Sequence, residues 1–232
     1  MYDIVRKIVY FFSAIINPLE VRNMQIITII TGTIGENCHI IFDERKNAMV
    51  IDPGDEANTL IKTISDNQLS VKAIVLTHGH YDHVGAVNEL KAYTGASVVA
   101  HEEEKELIQN PNLSLGMFVD PAFPVPEVDS YVKEGDEILA GDISLRVIHT
   151  PGHTQGGMCL YTDGVLFSGD TVFYGTLGRW DFPTGDLSKL THSILHKIFL
   201  LPDSTVIYSG HGPATTVGEE KVSNEVYRWL SI

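Results

Sequence analysis

Residues Thr77-His78-Gly79-His80-Tyr81-Asp82-His83 put three imidazoles and a carboxylate within six positions. Each of these groups needs a polar partner if buried and contributes little if exposed. Coordination of a metal ion satisfies all four at once. A lone histidine on an apolar face is usually a core residue with one hydrogen bond, a reading that does not extend to four such groups together. The apolar, β-branched run Ala73-Ile74-Val75-Leu76 precedes them and reads as a buried strand, so the chemistry begins where a strand stops.

Three later segments follow the same pattern. Strand 143–149 runs into Thr150-Pro151-Gly152-His153, strand 165–168 into Gly169-Asp170, and strand 205–208 into Ser209-Gly210-His211-Gly212. Each places one ligand-type residue past a strand's carboxyl end, beside a glycine that lets the backbone turn. Singly, a histidine or aspartate in a turn is more often a local hydrogen-bonding residue. Together the four strand ends offer His78, His80, Asp82, His83, His153, Asp170 and His211. Seven donors are enough for two adjacent metal ions sharing a carboxylate, each with a position open to water. Mixed imidazole and carboxylate ligands suit zinc first, with iron or manganese as alternatives.

The elements that must position these turns are short. Segments 25–31, 37–42 and 48–51 read as an antiparallel meander, and Asp52-Pro53-Gly54-Asp55 ends its third strand. A helix is expected over 56–66, a strand over 72–77, a helix from Val84 to Tyr93 closed by Gly95, a strand over 97–100 and a short helix over 101–109. The proline-rich stretch 110–130 breaks regular structure and is either a packed connection or a lid over a cleft. Strands return over 131–132, 137–140, 143–149, 158–161 and 165–168, with Asp163-Gly164 as a tight hairpin. A glycine-rich loop after Asp170, a helix over 187–199, a strand over 205–208 and a helix from 218 or 219 complete the chain. Two sets of strands with accompanying helices imply two mixed β-sheets face to face with helices outside, a four-layer αββα sandwich in the α/β class.

Residues 1–23 differ from the rest. Ile4, Ile8, Phe11, Phe12, Ile15 and Leu19 share one helical face opposite a polar stripe, and Pro18 interrupts. This amphipathic helix is too short and too polar on one side to span a bilayer or serve as a signal peptide. It is expected to dock on its own domain, on a second subunit as a homodimer contact, or peripherally on a membrane surface. The formal net charge of −14 over 232 residues argues against a nucleic-acid or anionic-membrane surface. Cys38 and Cys159 lie far apart among apolar neighbours and read as buried free thiols of a reducing, cytoplasmic compartment.

The set THGHYDH, Pro151-Gly152-His153, Ser168-Gly169-Asp170 and Gly210-His211-Gly212 resembles the metallo-β-lactamase superfamily over residues 24–232. The resemblance implies that His78, His80 and His153 hold a first metal, that Asp82, His83 and His211 hold a second, and that Asp170 bridges both. Having both Asp82-His83 and Asp170 departs from the true β-lactamases, which usually place a cysteine near the second metal. His80 in place of glutamate departs from the flavodiiron oxygen reductases. Within the superfamily the chain is most similar to the glyoxalase II-like hydrolases, including their shorter bacterial form. In glyoxalase II-like hydrolases and persulfide dioxygenases a basic residue holds the glycine carboxylate of glutathione, and Arg179 in Gly178-Arg179-Trp180-Asp181-Phe182 stands at the matching position; the structural alternative is a surface arginine paired with Asp181. Full-length glyoxalase II has a C-terminal helical domain that supplies much of the glutathione contact, and 20 residues follow Gly212 in this sequence, so the resemblance speaks to the reaction class more than to the substrate.

The expected function is hydrolysis of a thioester such as an S-acylglutathione by a metal-activated water, with Asp82 orienting that water and Asp170 holding the ions together. A persulfide dioxygenase using one iron at His78, His153 and Asp170 is the alternative from another reaction class, a lactonase is a second hydrolytic one, and a non-catalytic binding module the third. His39, His101, His149, His192 and His196 lie outside the four turns and are assigned structural or solvent roles.

Overall fold

The computed structural model describes residues 24–231, so the amphipathic helix expected over residues 1–23, with its homodimer or membrane contact, lies outside the described residues. The first sheet takes its strands in chain order: β1 (Gln25–Thr31), β2 (Glu36–Phe42), β3 (Asn47–Ile51), β4 (Ser70–Val75), β5 (Ser97–His101) and β6 (Ser130–Val132). β1, β2 and β3 pair antiparallel, as expected of a meander, whereas β3 to β6 pair parallel. Parallel neighbours need crossovers, which α1 (Ala57–Asp66), α2 (Tyr81–Val84), α3 (Val87–Thr94) and α4 (Lys105–Gln109) supply. The second sheet holds β7 (Glu137–Ala140), β8 (Ile143–His149), β9 (Met158–Thr162), β10 (Val165–Gly169), β13 (Val206–Ser209) and β14 (Thr215–Thr216), in the order β14-β13-β10-β9-β8-β7. β11 (Val172–Phe173) and β12 (Thr176–Leu177) form a small separate hairpin, and α5 (Leu187–His196) and α6 (Val217–Ser223) cover the outer face.

The αββα sandwich is present, and its strands explain why. In β3, Ala48 and Val50 pack outward with Leu60 and Ile64 of α1 and Leu90 of α3, while Met49 and Ile51 face inward. In β10, Leu166 packs outward with Leu190 and Ile194 of α5, while Phe167 faces inward. Alternate side chains thus enter different cores, and both faces must be apolar. The middle layer joins Ile41, Met49 and Val75 of one sheet to Leu145, Leu160 and Phe167 of the other.

Element boundaries moved where tertiary contacts intervened. The single helix expected from Val84 to Tyr93 is two, α2 and α3, separated at Gly85-Ala86. The Ala86 N–H donates to the Pro53 carbonyl instead of continuing the helix, and a Cβ on Gly85 would lie 2.3 Å from the Gly54 carbonyl oxygen. The 52–55 turn is wedged against this break, and Gly95 closes α3 in a left-handed conformation as expected. Residues 102–104 form a 3₁₀ turn before α4, the loop after Asp170 contains the β11–β12 hairpin, and the C-terminal helix begins earlier, at Val217, capped by the Thr216 hydroxyl. Segment 110–130 has a 3₁₀ turn at Gly116–Phe118. Asn88 tethers it through both its side-chain amide donor and its acceptor to Val125 and Glu127, and Phe123 packs on the outer core, while Phe118 is exposed. Among the described residues, no helix is long and apolar enough to cross a membrane.

Candidate metal centre

The four turns that follow β4, β8, β10 and β13 meet at one edge of the sandwich. Residues 76–80 form an irregular segment after β4, bent at Thr77, and His80, in extended conformation, precedes the first turn of α2, which carries Asp82 and His83. His80 Nδ1 lies 2.8 Å from His153 Nε2, which lies 3.2 Å from His78 Nε2. Tetrahedral Zn–N bonds of about 2.0–2.1 Å would set such nitrogens about 3.3–3.4 Å apart, so the cluster approximates one ion's ligand cage. A second cluster joins His211 Nε2 to Asp82 Oδ2 at 3.2 Å, with His83 Nε2 at 3.5 Å from the same oxygen. Asp170 stands between them: its Oδ2 is 3.5 Å from His153 Nε2 and 3.8 Å from His211 Nε2, and its Oδ1 is 3.4 Å from His83 Nε2. All seven residues singled out from the sequence are therefore brought together. The close approach requires Gly210, where a Cβ would sit 2.3 Å from Asp170 Oδ1.

The electrostatics suit cations. Burial, above all, holds His78, His80 and His153 below the ordinary imidazole value, leaving neutral rings with lone pairs to offer. At His83 burial again disfavours charge, but Asp170, Asp82 and Asp52 outweigh it and raise its value well above the ordinary one. Burial likewise pushes up Asp82, yet His83 and His211 prevail and keep it a carboxylate. His83 Nε2 and Asp170 Oδ1 are buried and hydrogen-bond to nothing. Two unpartnered atoms in a pocket of carboxylates and imidazoles fit a binuclear metal site.

Three residues that sequence reasoning passed over support these ligands. Asp52 accepts the Thr77 N–H at 2.7 Å on Oδ1 and the Thr77 hydroxyl at 2.5 Å on Oδ2, which also lies 3.1 Å from His83 Nδ1. The hydroxyl has then committed its only proton, so at 3.2 Å from His78 Nδ1 it can only accept. Both histidines thereby carry a proton on Nδ1, which leaves His78 Nε2 bare and makes Nε2 the face that His83 turns toward Asp82 and Asp170. Asp52, His78 and His83 are close enough to form a third cluster, but the oxygens of Asp52 are occupied, so it orients ligands and does not bind beside them. His153 donates Nδ1–H to the Arg179 carbonyl at 2.7 Å, which fixes its tautomer too. Glu36, buried between Thr31 and His83, is pushed well above the ordinary carboxylate value by burial.

Arg179 is exposed and paired through Nε and Nη2 with Asp181 at 2.9 and 2.7 Å. Its guanidinium lies 4.0 Å over the Phe182 ring, which meets the His80 ring edge-on at 5.7 Å. Its guanidinium is thus held by Asp181 and stacked on the ring that meets His80. The other histidines are outside the centre: His39 is buried between Thr28 and Ser209, His101 stacks on His149, and His192 faces His196 on α5. Cys38 and Cys159 are buried free thiols.

The sequence pattern of the metallo-beta-lactamase superfamily matches residues 31–211, the span from β1 to the last histidine of the centre. This chain belongs to that superfamily. Among curated members, the hydroxyacylglutathione hydrolase GloC of Haemophilus influenzae is 39% identical over 199 residues, covering 82% of this chain and 91% of GloC. Among solved superfamily structures, the B3 metallo-beta-lactamase BLEG-1 superposes with a TM-score of 0.82 at 34% identity, covering 86% of this chain and 98% of that one. TTHA1623, crystallised in a di-iron-bound form, superposes with a TM-score of 0.76 at 33% identity, covering 85% and 98%.

Proposed function

We propose that this superfamily member is a binuclear hydrolase of thioesters, S-acylglutathiones first among them. His78 Nε2, His80 Nδ1 and His153 Nε2 would hold one divalent cation, Asp82, His83 and His211 the other, and Asp170 would touch both. Zinc leads on ligand chemistry, and iron has support from the di-iron form of TTHA1623. Once bound, the cations would supply Lewis acidity and lower the pKa of a water from 15.7 toward about 7. The chain's own work is different. Asp82, kept ionised by His83 and His211, would accept a hydrogen bond from the attacking water and fix its direction. Asp170 would serve both clusters, with Oδ2 near His153 and His211 and the unshared Oδ1 toward His83. Arg179, stacked on Phe182 beside His80, would exchange Asp181 for a substrate carboxylate and so orient an anionic thiol carrier. The buried free thiols support a reducing, cytoplasmic setting.

The observation that carries this reading is the convergence of seven donors from four separate turns, with His83 Nε2 and Asp170 Oδ1 among the buried atoms that find no hydrogen-bond partner. It is tested by loading the metal-depleted protein with zinc or iron and assaying S-lactoylglutathione, a homoserine lactone, a β-lactam, and oxygen uptake with glutathione persulfide. Metal-dependent thioester cleavage that disappears in Asp170→Ala is expected. Turnover of only the β-lactam or the lactone would replace the substrate class, and oxygen uptake with one iron per chain would replace the reaction.

A further inference from the structure

Glu104 lies in the run Glu102-Glu103-Glu104-Lys105-Glu106, where a solvent-facing carboxylate is expected, yet its side chain is fully buried. Its Oε1 accepts the Gly79 N–H at 2.9 Å. Its Oε2 accepts the Thr154 hydroxyl at 3.0 Å and the Gly156 N–H at 2.8 Å. Gly79 separates His78 from His80, while Thr154 and Gly156 follow His153. One carboxylate therefore joins the two chain segments that carry all three imidazoles of the first cluster, segments that otherwise belong to different sheets. It makes none of these bonds to the 82–83 turn or to the 209–211 turn.

We infer that Glu104 is a positioning residue that closes the His78–His80–His153 cage, and that it acts on this cluster and not on the other. The inference rests on the metal reading proposed above. The requirement for a carboxylate follows from donor geometry. Two of the three donors are backbone N–H groups that cannot turn away, and they approach different oxygens, so an amide would set its own NH₂ against one of them. The site tolerates little slack, since a Cβ on Gly156 would fall 2.6 Å from Oε2 and a Cβ on Gly79 would fall 2.5 Å from Ile108. A change at Glu104 must therefore separate the loops and cannot be absorbed by sliding them. The cage nitrogens, 2.8 and 3.2 Å apart, would open accordingly.

The test isolates each cluster in the full chain. In a His211→Ala background the three-histidine cluster remains intact; in a His80→Ala background the Asp82–His83–His211 cluster does. Zinc affinity is measured in both by competition with a chromophoric chelator, with and without Glu104→Gln, and folding is followed by circular dichroism. Loss of an outer contact to a ligand set costs roughly 10–100-fold in metal affinity, so a weakening of that order is expected in the first background, with a change below about twofold in the second. Should Glu104→Gln not fold, Thr154→Val removes one of the three donors without altering shape, and a smaller weakening confined to the first background is expected. Equal weakening in both backgrounds, or none in either, would overturn the clamp. Absence of zinc binding from both parent backgrounds would overturn the metal reading itself, and the clamp with it.

Discussion

Replacing Asp52 by Asn alters a single atom's chemistry and should disturb both metal clusters. In the wild type the carboxylate only accepts, and three donors converge on it: the Thr77 N–H, the Thr77 hydroxyl and His83 Nδ1. An asparagine would keep one oxygen for the Thr77 N–H and turn an NH₂ toward the hydroxyl and the imidazole. His83 must then accept on Nδ1, which leaves the ring's remaining proton on Nε2, the atom needed beside Asp82. Thr77 must accept from the new amide, which releases its hydroxyl proton toward His78 Nδ1 at 3.2 Å and sends that ring's proton to Nε2 as well. One ligand in each cluster is thus supplied in the wrong tautomer. Outer contacts of this kind are worth about 10–100-fold in metal affinity, or about 1.4–2.7 kcal/mol for each ion. The assay is zinc competition on the folded variant, with ¹⁵N imidazole shifts of His78 and His83 in the metal-free protein reporting whether each Nδ1 carries a proton. A variant that folds normally, binds two ions at wild-type affinity and keeps both rings protonated on Nδ1 would refute the relay.

Four further outcomes follow from the same geometry. Burial pushes Glu104 up to about 7 from an ordinary 4.5, so the folded state holds this proton more tightly than the unfolded one, and the group's contribution to stability rises as pH falls from about 7 toward 4.5. At about 1.36 kcal/mol per pH unit, the stability of the metal-free wild type relative to Glu104→Gln should increase by about 3 kcal/mol across that window in denaturant titrations; a difference independent of pH would contradict it. Asp170→Asn should lower metal content from two ions per chain, seen by elemental analysis, because an amide offers one oxygen where two clusters need one each. Arg179→Ala should lower kcat/KM for an anionic thioester about 10–100-fold, chiefly through KM, and leave an uncharged thioester nearly unaffected, since a charge-assisted bidentate pair is worth about 1.5–3 kcal/mol. Phe167→Ala, which empties the centre of the layer between the sheets, should cost about 3–5 kcal/mol in urea unfolding without removing a ligand.

What the sequence disclosed and what it concealed divide along one physical line. The ligands were legible because each is a metal-binding type beside glycine at the end of a β-branched run, and because seven such groups have no shared purpose except a common ion. Asp52 carries the same signature, a carboxylate past the end of β3 next to Pro53-Gly54, yet it reads equally well as a turn residue. Its separation from the other turns hides that it reaches Thr77 and His83 across a parallel strand pair. Glu104 offers no signal at all. Its neighbours Glu102, Glu103 and Lys105 are exposed, and only the 3₁₀ turn after β5 swings this one side chain of the run inward. Strand faces were concealed for the opposite reason: Ile40 and Ile41, or Leu166 and Phe167, enter different cores, so continuous apolar runs carry no alternation to reveal which face meets the other sheet. Residues that bind an ion are constrained by their own chemistry and show it locally. Residues that aim those ligands are constrained only by what the fold brings to them, so they show themselves only in the folded structure, where a buried carboxylate with three donors has no alternative explanation as a solvated charge.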